Sequence, residues 1–139
     1  MSLENILRRK FDEDDRKLVQ EQVIRAVLQN PERFIKAYNA HPYSFGGRYI
    51  CADMFKEMFE QYSASKEARN RYNTPVHNSA AVLAAEQFRR VISASDSPEK
   101  DTVVFLTGIP GAGKTSTILE AHGLAHVHKA IFEGQLVKP

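Results

Sequence analysis

Thr102-Val103-Val104-Phe105-Leu106-Thr107-Gly108-Ile109-Pro110-Gly111-Ala112-Gly113-Lys114-Thr115-Ser116 is the stretch that decides how this chain reads. Its first six residues are an unbroken β-branched and aromatic run, the pattern of a strand buried on both faces. The run passes directly into Gly108–Thr115, which fits G-x-x-x-x-G-K-[ST] at every fixed position. With ordinary residue frequencies, such a match arises by chance in on the order of one chain of this length in a few hundred.

Each residue type in the loop has a physical task. Gly108, Gly111 and Gly113 let the backbone turn tightly and keep side chains away from phosphate oxygens, so that successive N–H groups form an anion nest. Ile109, Pro110 and Ala112 complete that backbone cradle. Lys114 brings a positive charge to the β- and γ-phosphates, Thr115 offers its hydroxyl to Mg²⁺, and Ser116 reaches a more interior phosphate. A helix starting near Gly113 and running through Ser116-Thr-Ile-Leu-Glu-Ala121 adds its positive dipole end. The expected ligand is ATP or GTP with Mg²⁺.

Downstream, Gly123 ends that helix and Ala130-Ile131-Phe132 reads as the next strand, followed by Glu133-Gly134-Gln135. Ligands of open α/β sheets bind beyond the carboxyl ends of the strands. Glu133 and Gln135 therefore stand where a second substrate is met, although turn polarity after a strand explains them equally well. His122, His126 and His128 form no recognisable metal motif, because Gly123 interrupts the helix that would align them.

Upstream, the pattern is helical. Residues 12–30 read as an amphipathic helix with Asp12, Asp14 and Asp15 at its start and Leu18, Val19, Val23, Val27 and Leu28 along its apolar stripe. Asn30-Pro31 closes it and opens a second helix through Phe34, Ile35 and Tyr38. His41–Gly47 is a loop, with Pro42, Gly46 and Gly47 as breakers. Met54, Phe55, Met58, Phe59 and Tyr62 suggest one helix over roughly 48–62. Another is expected from Thr74 or Ser79 to about Ser93, with Val82, Leu83, Phe88, Val91 and Ile92 as its stripe. Lys66, Arg69, Arg71, Arg89 and Arg90 read as a solvated face rather than a phosphate clamp. Polar, Pro-containing residues 94–101 form a linker, leaving a helical region at 1–93 and a nucleotide-binding core at 102–139. The fold class expected is α/β, an incomplete P-loop core preceded by a mainly helical N-terminal region.

The 139 residues suffice for one domain with a real core. A formal charge of +2 with scattered basic residues gives no footprint for nucleic acid. The single cysteine, Cys51, excludes an intrachain disulfide and reads as a small core residue. No run is long enough to cross a bilayer and no signal peptide is recognisable, so the expected location is the cytoplasm without membrane partners.

The order of a helical part followed by Val103-Val-Phe-Leu-Thr-Gly-Ile-Pro-Gly-Ala-Gly-Lys-Thr-Ser116 resembles the zeta-toxin family of P-loop kinases. The resemblance implies phosphoryl transfer from ATP or GTP to UDP-N-acetylglucosamine or a similar small molecule, with a small helical antitoxin as partner. It makes Lys114 catalytic as well as phosphate-binding. The family's acidic pair after the second strand corresponds here to Glu133-Gly134-Gln135, with Gln135 at the base position. A neutral amide accepts no proton, which leaves Glu133 as the substitute base. Only two strands of such a core precede Pro139, so the chain reads as the first half of a kinase, truncated and catalytically impaired. The alternative is a non-catalytic remnant or a nucleotide- or partner-binding module.

Overall fold

The computed structural model describes residues 6–94, 103–106 and 130–133. Helix α1 (Asp14–Gln29) buries Val19, Val23, Ile24 and Val27 along one face. Asp14 and Asp15 sit in its first turn, but the N-cap is Glu13 and no side chain caps it. The helix start therefore has no side-chain cap, and Asp14 and Asp15 act as charges at the positive helix end. Leu18 and Leu28, expected in the stripe, are 58% and 46% exposed. Each adjoins a buried valine in sequence and is turned about 100° from it around the helix.

Asn30 divides α1 from α2 (Pro31–Ala40), its side-chain oxygen accepting the Arg33 N–H at 3.3 Å while Pro31 opens the new helix. A 3₁₀ turn at Pro42–Ser44 follows, and then Phe45, Gly46 and Gly47 take φ values of 52°, 70° and 88°. Gly47 is required sterically as well, since a Cβ there would run into Asn39 Oδ1 and Gln87 Nε2. Gln87 Nε2 donates to Asn39 Oδ1 and to the Gly47 carbonyl, each at 3.0 Å, and so ties the loop down.

The single helix expected over 48–62 is corrected to three elements: strand β1 (Tyr49–Cys51), helix α3 (Ala52–Lys56) and helix α4 (Glu60–Ser63). All three residues of β1 are buried, and Phe59 adopts extended backbone between the two short helices. Phe55 and Phe59 still reach the core, which is why their spacing read as one stripe.

The last long helix is also corrected. Helix α5 (Lys66–Ala94) begins well before Thr74 and carries Pro75 in its interior. Ser65 Oγ accepts the Ala68 N–H at 3.0 Å near its start. Proline has no N–H for the carbonyl four residues back. That carbonyl, Arg71 O, instead accepts Arg16 Nε of α1 at 3.1 Å. Residues 75–84 are all buried, so α5 is the axis on which the other helices pack. Its outer charges tie it to them: Arg71 to Asp15, Arg69 to Glu57 and Arg90 to Glu32, with Arg90 also bonding Glu86 one turn back on α5.

Strands β2 (Val103–Leu106) and β3 (Ala130–Glu133) join β1 in a parallel sheet of order β1-β3-β2. Tyr49 pairs with Ile131 and Cys51 with Glu133 on one side of β3, and Val103 pairs with Ala130 and Leu106 with Glu133 on the other. Residues 107–129, between β2 and β3 in sequence, lie outside the described residues. The described residues are thus mainly helical with a small parallel sheet. The expected linker falls partly inside α5, through Ala94, while residues 95–101 lie outside the described residues. Among the described residues, no helix is long and apolar enough to cross a membrane.

Tyr38 fastens the helices to the sheet. Its hydroxyl donates to Tyr49 O at 2.6 Å and accepts the Cys51 N–H at 2.9 Å, and its ring stacks on Phe55 with centroids 3.8 Å apart. Tyr38→Phe leaves both backbone groups buried without that hydroxyl and is expected to cost about 2 kcal/mol. Urea unfolding of the two proteins measures the difference.

The ion pairs of α5 make stability depend on acid. The Arg71 guanidinium, helped by Tyr72, holds Asp15 well below the usual carboxylate range, against a smaller opposing effect of desolvation. Arg89 and Arg90 lower Glu86, and Arg90 lowers Glu32. A carboxylate whose folded pKa is depressed stabilises the fold above its unfolded pKa and loses that contribution as pH falls through the folded one. The thermal midpoint is therefore expected to drop as pH falls below about 4. Asp15→Asn should flatten this acid limb, as a thermal scan across pH would show.

Candidate functional site

The carboxyl edge of the sheet is where the three described strands end together. β2 ends at Leu106, and the next residues in sequence are Thr107 and the Gly108–Thr115 loop. Gly108, Ile109, Pro110, Gly111, Ala112, Gly113, Lys114, Thr115 and Ser116 lie outside the described residues, as do His122, His126, His128 and Gln135. Glu133 is the last residue of β3, and its register sets it between Leu106 of β2 and Cys51 of β1. All three strands run parallel, so their carboxyl ends share this edge.

The third contributor to the edge comes from the N-terminal region and was hidden in the sequence. β1 ends at Cys51, and Ala52-Asp53 opens α3. Asp53 Oδ1 lies 3.0 Å from Lys56 Nζ, and Lys56 in turn donates to Asn73 Oδ1 at 2.8 Å. The Lys56 side chain is 2% exposed and that of Asp53 is 41% exposed. A buried ammonium is costly unless paired and hydrogen-bonded, and Asp53 and Asn73 supply both compensations. In return, the fixed ammonium orients the carboxylate. The signal that could have exposed Asp53 was an apolar run, Tyr49-Ile50-Cys51, ending in an acid. Three residues were too few to stand out against the helical spacing around them.

Other candidates serve the fold. Arg69 makes a two-pronged contact with Glu57 at 3.0 and 2.8 Å, Arg71 pairs with Asp15, and Arg89 and Arg90 share Glu86. Each guanidinium is held above its ordinary range by the carboxylate it bonds. Cys51 is buried inside β1 and forms no disulfide among the described residues, as its apolar neighbours suggested. Among the described residues, no three His, Cys, Asp or Glu side chains come together as a metal cage. Asp53 and Glu133 are oxygen donors by type, and oxygen donors suit a hard cation such as Mg²⁺ shared with phosphates rather than a transition metal.

No protein-family model matches this chain, and no curated protein matches it.

The Asp53–Lys56 pair has an asymmetry that a stability measurement can read. Asp53→Asn leaves a buried ammonium without its counter-charge and is expected to cost about 2 kcal/mol or more. Lys56→Met removes the buried charge at similar volume, leaves the partly exposed Asp53 to water, and should stay within about 1 kcal/mol of the parent. Chemical denaturation of both variants gives the comparison, and an equal cost would mean the pair is not organised this way.

Proposed function

We propose that this protein binds a nucleoside triphosphate, ATP or GTP, through Gly108–Ser116, with Mg²⁺ engaged at Thr115. The observation that supports it most is the register of β2 on β3. Leu106 and Glu133 end their strands side by side, and the G-x-x-x-x-G-K-T sequence begins directly after Thr107. A parallel strand running into such a sequence is the context in which the sequence binds phosphate, because the backbone then turns beyond a carboxyl edge. The glycines keep N–H groups accessible to phosphate oxygens, and Lys114 adds a charge-assisted contact. When bound, Mg²⁺ neutralises charge on the terminal phosphates.

The zeta-toxin resemblance extends this reading to phosphoryl transfer onto a hydroxyl of UDP-N-acetylglucosamine or a similar acceptor. Gln135 favours a second reading, binding without turnover. The amide at the base position takes no proton, and transfer would then fall to Glu133 at the end of β3. A small helical antitoxin remains the partner that the resemblance suggests.

Calorimetric titration of the full chain with ATP or GTP and Mg²⁺ tests the proposal. Lys114→Ala should weaken binding at least about tenfold, or roughly 1.4 kcal/mol, because one charged contact to phosphate is lost. Equal affinity of variant and parent would overturn the assignment of the loop. In the same preparation, turnover of the sugar nucleotide that vanishes in Glu133→Gln would establish the enzyme reading over the binding one.

A further inference from the structure

We infer that the outward face of α1 is an interface between two copies of this chain, packed antiparallel about a two-fold axis beside residue 23. The inference does not depend on the nucleotide-binding reading.

Among the described residues the large exposed apolar side chains are Leu7, Leu18, Leu28 and Tyr43, and two of them, Leu18 and Leu28, stand on α1 at 58% and 46% exposed. Ten steps of about 100° set these leucines about 80° apart around the helix, and about 15 Å apart along it. Glu21 and Arg25 lie between them on the same arc, away from the buried stripe of Val19, Val23 and Val27. The spacing of 18, 21, 25 and 28 alternates three and four, which is the seam spacing of one helix laid along another.

The order of residues along that seam is complementary to its own reverse. An antiparallel two-fold at residue 23 pairs the position five before it with the position five after it, and the position two before with the position two after. Leu18 then meets Leu28 of the second copy, and Glu21 meets Arg25 of the second copy. Each contact occurs twice, as a two-fold interface requires. A parallel pairing would instead set Glu21 on Glu21 and Arg25 on Arg25, and like charges placed together oppose association.

The groups on this face are available for such contacts. Arg25 has no ion-pair partner among the described residues. Glu21 bonds Arg8 at 2.6 Å, yet its side chain stays 46% exposed and its carboxylate has lone pairs for a second guanidinium. Beside Leu28 is a surface hollow of about 290 Å³, lined by Arg8, Glu21, Ile24, Arg25, Leu28 and Gln29. The two-fold brings Leu18 of the second copy to this hollow, an apolar knob against Ile24 and Leu28. With 16 residues, α1 is about 24 Å long, so two such helices bury less than the roughly 1,200 Å² of a standard interface. The dimer is therefore of the weak, reversible class, with the ion pairs fixing its register.

Sedimentation equilibrium of the full chain, from low micromolar to near-millimolar concentration, is the test. The parent should move reversibly between monomer and dimer. Leu18→Ser, Glu21→Lys and Arg25→Glu should each weaken dimerisation at least about tenfold. The first loses an apolar contact made twice, and the others set like charges together. The Glu21→Lys/Arg25→Glu double variant restores opposite charges across the two-fold and should regain most of the parent's affinity. These side chains lie outside the core, so thermal midpoints of the dilute variants should stay near the parent's, separating a lost dimer from a lost fold. A parent that remains monomeric throughout would overturn the inference. So would a dimer that survives both Leu18→Ser and Glu21→Lys, since the contact would then lie on another face. Loss in the single variants without recovery in the double would overturn the antiparallel pairing.

Discussion

The structure depends on one hydroxyl. Tyr38 reaches from α2 to the two backbone groups of β1 that face it, giving a proton to Tyr49 O and taking one from Cys51 N. Consecutive residues of a strand turn their polar groups to opposite sides, so this hydroxyl occupies the place a further strand would take. It closes one edge of a small sheet and positions that edge against the helices in the same contact. Phe55, stacked flat on the Tyr38 ring, carries the tie onward into α3. Without this bridge a strand of three residues has little reason to persist where the surrounding sequence favours helix.

Around it, α5 is held by polar contacts placed where its own backbone fails to supply them. Pro75 frees the carbonyl of Arg71, and Arg16 takes it. The same stretch offers Arg71 and Tyr72 to Asp15, so α1 meets α5 through a carbonyl, a guanidinium and a phenol within two successive turns. Farther along, Gln87 holds the loop that leads into β1. Gln20 clamps the N-terminal segment by both Arg9 backbone groups, at 2.9 and 3.0 Å. Buried side-chain amides replace missing strand or helix partners, and each pairing leaves the local chain few alternatives.

The parallel sheet joins parts of the chain that are distant in sequence. The Gly108–Thr115 sequence stands out because its residue types are those phosphate demands, absent side chains, a cation and a hydroxyl in fixed order, and it lies outside the described residues. Asp53 was not legible, because nothing local distinguishes an acid in a helix's first turn from any other surface acid. Its place just beyond the carboxyl end of β1 comes from the parallel pairing of β1 with β3, a long-range event. The same holds for Lys56, which reads in sequence as an ordinary solvent-facing lysine and is instead among the most buried side chains of the fold.

What the sequence determined by itself was local. The turn at Asn30-Pro31, the breakers of the His41–Gly47 loop and the strand character of Val103–Leu106 all follow from preferences of a few adjacent residues. The tertiary structure decided the rest. Tyr49–Cys51 became a strand because a parallel neighbour and the Tyr38 hydroxyl compensate its backbone, and tertiary pairing outweighs a helical pattern in so short a run. Pro75 stayed inside a helix because Arg16 of another helix satisfies the carbonyl it abandons. Leu18 was left in water because only one face of α1 meets a partner. In each case the deciding partner lies elsewhere in the chain, and a free energy set by two distant segments cannot be read from either one alone.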